Sequence, residues 1–219
     1  MTGTDTGVGK TLIACALLRA SAVRGLRAVG MKPVAAGARP GVRGLENDDV
    51  ENLIAAGNVS APREHVNPYC FQPAIAPHIA ASKAGVEIDP ERIRSSFDAL
   101  GALADVVIVE GAGGFRVPLG QAADTAQLAA RLALPVVLVV GMRLGCLNHA
   151  LLTAEAVAAR GLKLAGWIAN HIDPQMDAVD DNVHVLEALV AAPLLARIAF
   201  VANPEPAAVA RQLDIAKLM

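Results

Sequence analysis

The sequence has few aromatic residues and no dense run of charge of either sign. Only 3% of its 219 residues are aromatic and 18% are charged, with a formal net charge of −2. The 19 basic residues are dispersed, so the charge pattern does not favour a nucleic-acid backbone, and we expect no nucleic-acid partner. Because aromatic residues are scarce, the core must consist of Ala, Val, Leu and Ile. Such a core suits buried parallel strands covered by helices.

Cysteines are few, and no apolar run is long. Cys15, Cys70 and Cys146 are far apart and form no Cys-x-x-Cys motif, so we expect neither a disulfide framework nor a zinc site. The apolar run 134–142 is interrupted by proline and glycine and is much shorter than the about 20 residues of a membrane-spanning helix. No export signal is visible. We therefore expect a cytoplasmic protein with reduced thiols and no membrane partner.

Short segments rich in Val and Ile alternate with longer segments of helical periodicity, which is typical of a doubly wound α/β sheet. At 219 residues, we expect a single domain over 1–219, because α/β domains of about 200 residues are common. The Gly-rich and Pro-rich segments 35–47 and 58–77 are expected to be loops. The predicted strands are 28–31, 106–109, 136–140, 164–169 and 196–200, and the predicted helices are 10–24, 49–56, 90–103, 122–132, 148–160 and 180–190.

The segment GTDTGVGKT at 3–11 has the composition of a phosphate-binding loop. In such loops glycines let backbone amides surround phosphate oxygens, the lysine lies between the β- and γ-phosphates, and the Thr hydroxyl ligates Mg²⁺. The amino end of the following helix adds partial positive charge. Five residues rather than the usual four separate Gly3 from Gly9. The pattern predicts ATP and Mg²⁺ as cofactors, with binding residues Gly7, Val8, Gly9, Lys10, Thr11 and Leu12.

A phosphate-binding loop normally follows the carboxyl end of a buried strand, yet only Met1 and Thr2 precede Gly3. The first strand is therefore expected to be missing. Either the sequence begins late, from a misassigned or trimmed start, or the fold lacks a central strand and holds the loop less firmly. Between the two, a late start is the favoured explanation.

A carboxylate residue, Glu110, follows the apolar segment 106–109 and is itself followed by Gly111, Gly113 and Gly114. Carboxyl ends of parallel strands lie on the ligand side of a sheet, so Glu110 is expected to face the phosphates and hold Mg²⁺ directly or through water. Asp49 begins a predicted helix, where the helix dipole favours a carboxylate in any protein. The residues around Asp49 are equally compatible with a carboxylate that only stabilises the helix start and with one that binds a metal.

Eight motifs, in order and spanning nearly the whole chain, resemble those of the dethiobiotin synthetase family. They are GTDTGVGKT (3–11), MKPVAAG (31–37), NDD (47–49), NP (67–68), PH (77–78), VEGAGG (109–114), GCLNH (145–149) and GWIAN (166–170). The resemblance implies a P-loop NTPase-like α/β domain with a mostly parallel sheet and helices on both faces. It also implies a ligase of biotin biosynthesis. Such an enzyme adds CO₂ or bicarbonate to an amine of 7,8-diaminopelargonic acid, phosphorylates the carbamate with ATP and closes dethiobiotin.

The same resemblance assigns roles to individual residues. Lys32, Lys10 and Thr6 are implied as catalytic, and Thr11, Asp49 and Glu110 as magnesium ligands. For the nucleotide, the implied contacts are Gly111, Ala112, Gly113, Asn170 at the adenine, and Ala199, Phe200, Val201 and Glu205 around the base and ribose. For the substrate, they are Thr6, Lys32 and Ala36, with Gly145, Cys146, Leu147 and Asn148 contributed across the interface of a homodimer.

Several alternatives stay open at this point. Asn148 is also compatible with a plain helix cap, and Ala36 replaces a hydroxyl residue of many family members. An ATP-driven switch of the partitioning or septum-positioning type would share the loop, fold and dimerisation, although it usually carries an extra lysine early in the loop. A related amide-forming enzyme or small-molecule kinase is the third class. We expect the five histidines, His65, His78, His149, His171 and His184, to be structural or on the surface, with His171 near the base.

Overall fold

The structure is a computed structural model that describes residues 1–42, 44–121 and 123–218. Its strands are β1 (Thr2–Gly3), β2 (Ala28–Met31), β3 (Val34–Ala36), β4 (Arg39–Gly41), β5 (Gly44–Glu46), β6 (Tyr69–Phe71), β7 (Val106–Val109), β8 (Val136–Met142), β9 (Leu164–His171) and β10 (Leu194–Ile198). Its helices are α1 (Lys10–Val23), α2 (Asp48–Ala56), α3 (Arg63–Val66), α4 (Pro77–Lys83), α5 (Pro90–Leu103), α6 (Thr125–Leu132), α7 (Cys146–Ala159), α8 (Val179–Leu189) and α9 (Pro206–Ala210), with a 3₁₀ helix at Ile215–Leu218.

Parallel strands form the centre of the fold. Four of them lie in the order β1, β8, β9, β10, and β2 pairs in parallel with β7. β8 is buried along its whole length, and alternate residues face different helices. Val137 and Val139 pack in a core with α1 and α9, whereas Leu138 and Val140 pack with α7 and α8. The predicted α/β class, with helices on both faces of a mostly parallel sheet, is therefore confirmed.

The first strand is present as two residues, which corrects the expectation that it is missing. Thr2 and Gly3 lie opposite Leu138 and Val139 of β8. On the other side, the Met1 amine donates to the Val109 carbonyl at 2.8 Å, and the Gly111 amide donates to the Met1 carbonyl at 3.0 Å. Backbone pairing on both sides keeps the segment extended. An apolar cavity of about 250 Å³ adjoins Met1 between β7 and β8.

Most long elements lie where the periodicity predicts them, and the differences concern their ends. The strand predicted over 196–200 runs from Leu194 to Ile198, because it pairs with β9 from Leu194 onward. The helix predicted to begin at Ala122, a residue outside the described part, begins at Thr125, where Asp124 and Gln127 form a capping box. The helix predicted from 148 begins at Cys146 after Gly145.

The two segments expected to be loops contain regular structure. Segment 35–47 includes the end of β3 and the antiparallel pair β4 and β5, and segment 58–77 includes α3, β6 and the start of α4. β3 pairs in parallel with β6. These elements have three or four residues each, apart from α4, too few to produce a periodic pattern. Among the described residues, none of the helices is both long and apolar enough to cross a membrane.

Candidate active site

The phosphate-binding loop connects β1 to α1 and is fixed by the neighbouring strands. The Thr4 amide donates to the Val139 carbonyl at 3.0 Å, and the Asn170 Nδ2 donates to the Val8 carbonyl at 2.8 Å. Gly9 has φ of +91°, and a Cβ atom there would lie 2.3 Å from Asn170 Nδ2. Glycine is therefore required both by the backbone conformation and by the close approach of Asn170.

Lys10 begins α1, and its ammonium turns back into the loop. Its Nζ donates to the Asp5 carbonyl at 2.7 Å. Burial, followed by the nearby charge of Lys32, lowers the pKa of Lys10 to about 8. The Asp5 carboxylate accepts from the Thr6 amide at 2.7 Å and from the Arg143 guanidinium at 2.5 Å. The loop thus presents a buried cation at the amino end of a helix, where an anion is favoured.

Four side chains from four separate parts of the sequence meet beside this loop. The Thr11 hydroxyl lies 2.9 Å from both Asp49 Oδ1 and Glu110 Oε1. The Lys32 ammonium donates to Asp49 Oδ2 at 2.9 Å and to Glu110 Oε1 at 2.5 Å. Lys32 and Glu110 are only 4% and 1% exposed. The structure therefore brings the predicted catalytic residue Lys32 together with the three predicted magnesium ligands, Thr11, Asp49 and Glu110.

The charges in this cluster stabilise one another. Burial would lower the pKa of Lys32, but the Glu110 and Asp49 carboxylates hold it above its usual value. Burial would likewise raise the pKa of Asp49, but the Lys32 ammonium and hydrogen bonds from Lys32 and Thr11 hold it below its usual range. Buried charges are tolerated when they are paired and hydrogen-bonded. Lys32 is therefore a charged ammonium and Asp49 a carboxylate at neutral pH.

The residues present fit a magnesium ion. Glu110 Oε2 is buried and has no hydrogen-bond partner within the described structure. Together with Asp49 and Thr11 it offers hard oxygen ligands, which Mg²⁺ prefers, and Mg²⁺ usually keeps several waters and binds only one or two carboxylates. In the described part of the chain, the side chains of His, Cys, Asp and Glu form no group of three or more that is suited to a metal.

Local sequence explains how Asp49 is placed. Asn47 caps α2 by accepting hydrogen bonds from the amides of Asp49 and Val50. Its Nδ2 donates to the Ala36 carbonyl at 3.1 Å, which ties the helix start to the segment after Lys32. The NDD motif contains this capping signal, because Asn is a favoured residue just before a helix. The capping role of Asn47 was not predicted from the sequence.

The glycine segment after Glu110 passes close to the loop. Gly113 has φ of +65°, and a Cβ atom there would lie 3.6 Å from Thr6 Oγ1. Gly111 and Ala112 are half-buried, as is Leu12 in the first turn of α1, whereas Thr6 and Gly7 are exposed. Their contacts with a nucleotide or substrate stay predictions.

The residues predicted around the base lie at the ends of β9 and β10. Asn170 is buried in β9, where it pairs with Ile198 of β10. Phe200 is 41% exposed, and its ring meets the His171 ring edge to face at 6.3 Å. The remaining predicted contacts, Ala199, Val201 and Glu205, are exposed, and Glu205 immediately precedes α9. His171 does lie beside a predicted base contact, but the base itself is untested.

The GCLNH motif begins α7. Gly145 precedes the helix with φ of +94°, so it rather than Asn148 occupies the cap position. Asn148 is exposed in the first turn, which overturns its reading as a plain helix cap. Cys146 is buried and Leu147 is half-buried. The ion pair between Arg143 and Asp5 links this helix start to the phosphate-binding loop. No motif pointed to Arg143, because the pair joins residues 138 positions apart.

Comparisons with known proteins identify the family and the fold. Residues 1–207 match a family model described as an AAA domain. A solved structure of similar fold is the septum site-determining protein MinD complexed with Mg-ADP from Pyrococcus horikoshii OT3. It aligns with a TM-score of 0.51 over 90% of this chain and 78% of that chain at 17% identity. At this identity the likeness concerns the fold alone.

Curated relatives are much closer in sequence. The protein from Aromatoleum aromaticum is 57% identical over 98% of this chain and 96% of its own length. Those from Nitrosospira multiformis and Janthinobacterium sp. are 54% and 51% identical over 100% of this chain and 95% and 94% of theirs. All three are named ATP-dependent dethiobiotin synthetase BioD, which confirms the resemblance seen in the motifs. The chain therefore belongs to the AAA domain family and, within it, to the ATP-dependent dethiobiotin synthetases.

Proposed function

We propose that this chain forms dethiobiotin from 7,8-diaminopelargonic acid, CO₂ and ATP, as a ligase of biotin biosynthesis that releases ADP and phosphate. The observation that carries the proposal is the cluster of Lys32, Asp49 and Glu110 beside the phosphate-binding loop, in which Lys32 and Glu110 are buried and Asp49 is half-buried. Lys10 and Lys32 lie close enough for the charge of Lys32 to lower the pKa of Lys10. Two cations and a magnesium site thus converge where a triphosphate tail would lie.

ATP and Mg²⁺ are the proposed cofactors. When bound, ATP supplies the phosphoryl group, and Mg²⁺ offsets charge on its oxygens. Thr11, Asp49 and Glu110 would hold the metal, and Lys10 would leave the Asp5 carbonyl to contact the phosphates. The amides of 7–12 would surround the phosphate oxygens. For the base and ribose, we propose Asn170, Ala199, Phe200, Val201 and Glu205, with Gly111, Ala112 and Gly113 near the phosphates.

The chemistry asks for positive charge that is already in place. CO₂ joins one amine of the diamine as a carbamate, whose oxygen then takes the γ-phosphoryl group, and the second amine attacks the carbamate carbon and displaces phosphate. Negative charge develops on carbamate and phosphoryl oxygens in these steps. The Lys32 ammonium, fixed by two carboxylates, is proposed to stabilise that charge at little reorganisation cost. Thr6 and Ala36 are proposed to adjoin the substrate, and Ala36 has no side-chain hydrogen bond to offer.

We also propose a homodimer in which α7 of one subunit completes the substrate site of the other. Its first turn contains Cys146, Leu147 and Asn148 and follows Gly145 at the cap position. The amides of this helix start favour the substrate carboxylate. Two apolar side chains on this part of the chain are exposed, Leu144 at 95% and Leu152 at 56%, as expected for a surface that a second copy covers.

We also propose a cytoplasmic location, in keeping with the three cysteines, which are free in the described structure.

The dimer is tested by sedimentation of the protein and of a Leu152→Glu variant. Because a charge at the centre of an apolar interface is costly, we expect the native chain to sediment as a dimer and the variant as a monomer. The variant should also lose dethiobiotin formation while retaining ADP binding. A native protein that is monomeric at assay concentrations would contradict a shared site.

The activity is tested by mixing the protein with the diamine, bicarbonate, Mg²⁺ and ATP. Release of ADP that depends on the diamine, together with dethiobiotin detected by mass spectrometry, is the expected result. Lys32→Ala should abolish ring closure and change ADP affinity by less than about threefold, because Lys10 and the loop amides are retained. ATP turnover indifferent to the diamine would favour a nucleotide switch instead. Equal loss of ADP binding and ring closure would show that Lys32 is misplaced.

A further inference from the structure

Asn67 makes an unusual pair of contacts next to the proposed catalytic lysine. It follows α3, is 8% exposed, and donates through Nδ2 to the Lys32 carbonyl at 2.6 Å and to the Tyr69 carbonyl at 3.0 Å. The neighbouring Val66 carbonyl accepts a hydrogen bond from the Lys32 amide at 2.8 Å. Both backbone polar groups of Lys32 are therefore held by two consecutive residues.

We call the two hydrogen bonds that join Val66 and Asn67 to the Lys32 backbone the Lys32 clamp. The clamp is needed because Lys32 lies outside the regular sheet. β2 ends at Met31 and β3 begins at Val34, so Lys32 and Pro33 join two strands that belong to different sheets. Lys32 is buried, and a buried backbone amide or carbonyl without a partner is costly. The Val66 carbonyl and the Asn67 amide group supply the partners that a strand would otherwise provide.

The clamp also determines where the lysine side chain points. Lys32 must reach Asp49 on one side and Glu110 on the other, at 2.9 Å and 2.5 Å. Catalytic groups have to be held within about 0.5 Å of their productive geometry, and a misplacement of about 1 Å can lower a rate roughly 10²-fold. A small rotation of the peptide at Lys32 is enlarged at the end of its long side chain. Fixing both backbone groups prevents that rotation.

We propose that Asn67 is a positioning residue, which fixes the Lys32 backbone and so aims the Lys32 ammonium at the reacting oxygens. The proposal rests on the role of Lys32 given above. It assigns a function to the NP motif at 67–68, which no nucleotide, metal or substrate contact explains. Asn67 acts through Lys32 and needs no contact with substrate.

The chain offers a matched control at the other end of the same strand. Asn58 Oδ1 accepts from the Ala28 amide at 2.7 Å, and Asn58 Nδ2 donates to the Leu26 carbonyl at 2.9 Å. Asn58→Ala therefore also removes two hydrogen bonds between an asparagine side chain and the backbone around β2. It does so at the end of β2 that is remote from Lys32.

The experiment compares Asn67→Ala with Asn58→Ala in the full chain, using diamine-dependent ADP release, ADP binding by calorimetry and the melting temperature. We expect Asn67→Ala to lower kcat by 10- to 100-fold, with ADP affinity and the KM for ATP within about twofold of native. Asn58→Ala should keep kcat within about twofold. If Asn67→Ala folds poorly, Asn67→Ser keeps a small polar group that cannot reach both carbonyls, and the same kcat loss is expected.

Two outcomes would overturn the proposal. One is a native kcat in a folded Asn67 variant. The other is a loss of kcat that follows the loss of melting temperature equally in the Asn67 and Asn58 variants, which would reveal a purely structural role. A parallel assay of Lys32→Ala separates this failure from that of the proposed site. An inactive Lys32→Ala with a fully active Asn67→Ala refutes the positioning role alone, whereas an active Lys32→Ala refutes both.

Discussion

Replacing Gly9 by alanine tests the contact between the phosphate-binding loop and Asn170 of β9. Gly9 adopts φ of +91°, and an added Cβ would lie 2.3 Å from Asn170 Nδ2. The methyl group must therefore displace the Asn170 side chain, which breaks its 2.8 Å hydrogen bond to the Val8 carbonyl. Gly7→Ala is the matched control, since Gly7 also has a positive φ, +75°, but no atom lies within 4 Å of the added Cβ in the described structure.

The loss of stability in each variant is the sum of up to two costs, one for the backbone conformation and one for the lost hydrogen bond. A left-handed conformation costs a residue with a side chain about 1–2 kcal/mol, and this cost applies to both variants. A buried carbonyl left without a partner costs about a further 1–3 kcal/mol, and this cost applies to Gly9→Ala alone. For a chain of this size, 1 kcal/mol lowers the melting temperature by roughly 2–4 °C. Gly9→Ala should therefore melt roughly 4–8 °C below Gly7→Ala for a difference of about 2 kcal/mol.

The assay is thermal and urea unfolding of the three proteins without nucleotide, followed by calorimetric titration with ADP. Gly9→Ala should be the less stable variant and should bind ADP more weakly than Gly7→Ala, because the Asn170 side chain is displaced and the Val8 carbonyl in the loop loses its partner. Equal melting temperatures for the two variants would refute the reasoning. That result would mean that the Asn170 side chain moves aside without cost.

Two further predictions concern the charges of the site. The pKa of Lys10 is about 8 in the free protein and phosphates favour its protonated form, so ADP affinity should fall as the pH rises above 8, with Kd about tenfold higher at pH 9 than at pH 7. Lys10→Arg, which stays charged, should remove this dependence in calorimetric titrations, and a flat native profile would contradict the lowered pKa. Asp49→Asn and Glu110→Gln should each weaken Mg²⁺ binding in the presence of ADP by at least about tenfold. Asp48→Asn, which changes the exposed neighbour paired with Arg39, should leave the Mg²⁺ titration unchanged, and an equal effect of Asp48→Asn would exclude a specific metal site.

Much of the fold follows from local patterns in the sequence. The segment 106–109 is a strand with the predicted bounds because four consecutive β-branched residues favour an extended, buried backbone. The segment 90–103 is a helix with the predicted bounds because Asp89 caps it, Pro90 opens it and its apolar residues recur at helical spacing. The phosphate-binding loop is recognisable for the same reason, since glycine, lysine and threonine must be adjacent in sequence to act together.

Other features depended on contacts between residues that are far apart in the chain. The sequence placed Glu110 at the end of a strand, but the local pattern around Asp49 left it between a helix-dipole role and metal binding, and only the family resemblance favoured the metal. Only the packing of α2 against α1 and β2 brings Asp49 within hydrogen-bonding distance of Thr11 and Lys32. The two-residue first strand likewise exists because Val109 and Leu138 flank it, which no local pattern records.

The sequence by itself therefore determined the family, the order of the main elements and the residue types available for binding a nucleotide, because these depend on neighbouring residues. The tertiary structure decided how those residues meet. It placed the Lys32 ammonium between two carboxylates and held its backbone through Asn67, 35 positions away. Hydrogen bonds of that kind depend on distances set by the packed core, and such distances leave no periodic trace in the sequence.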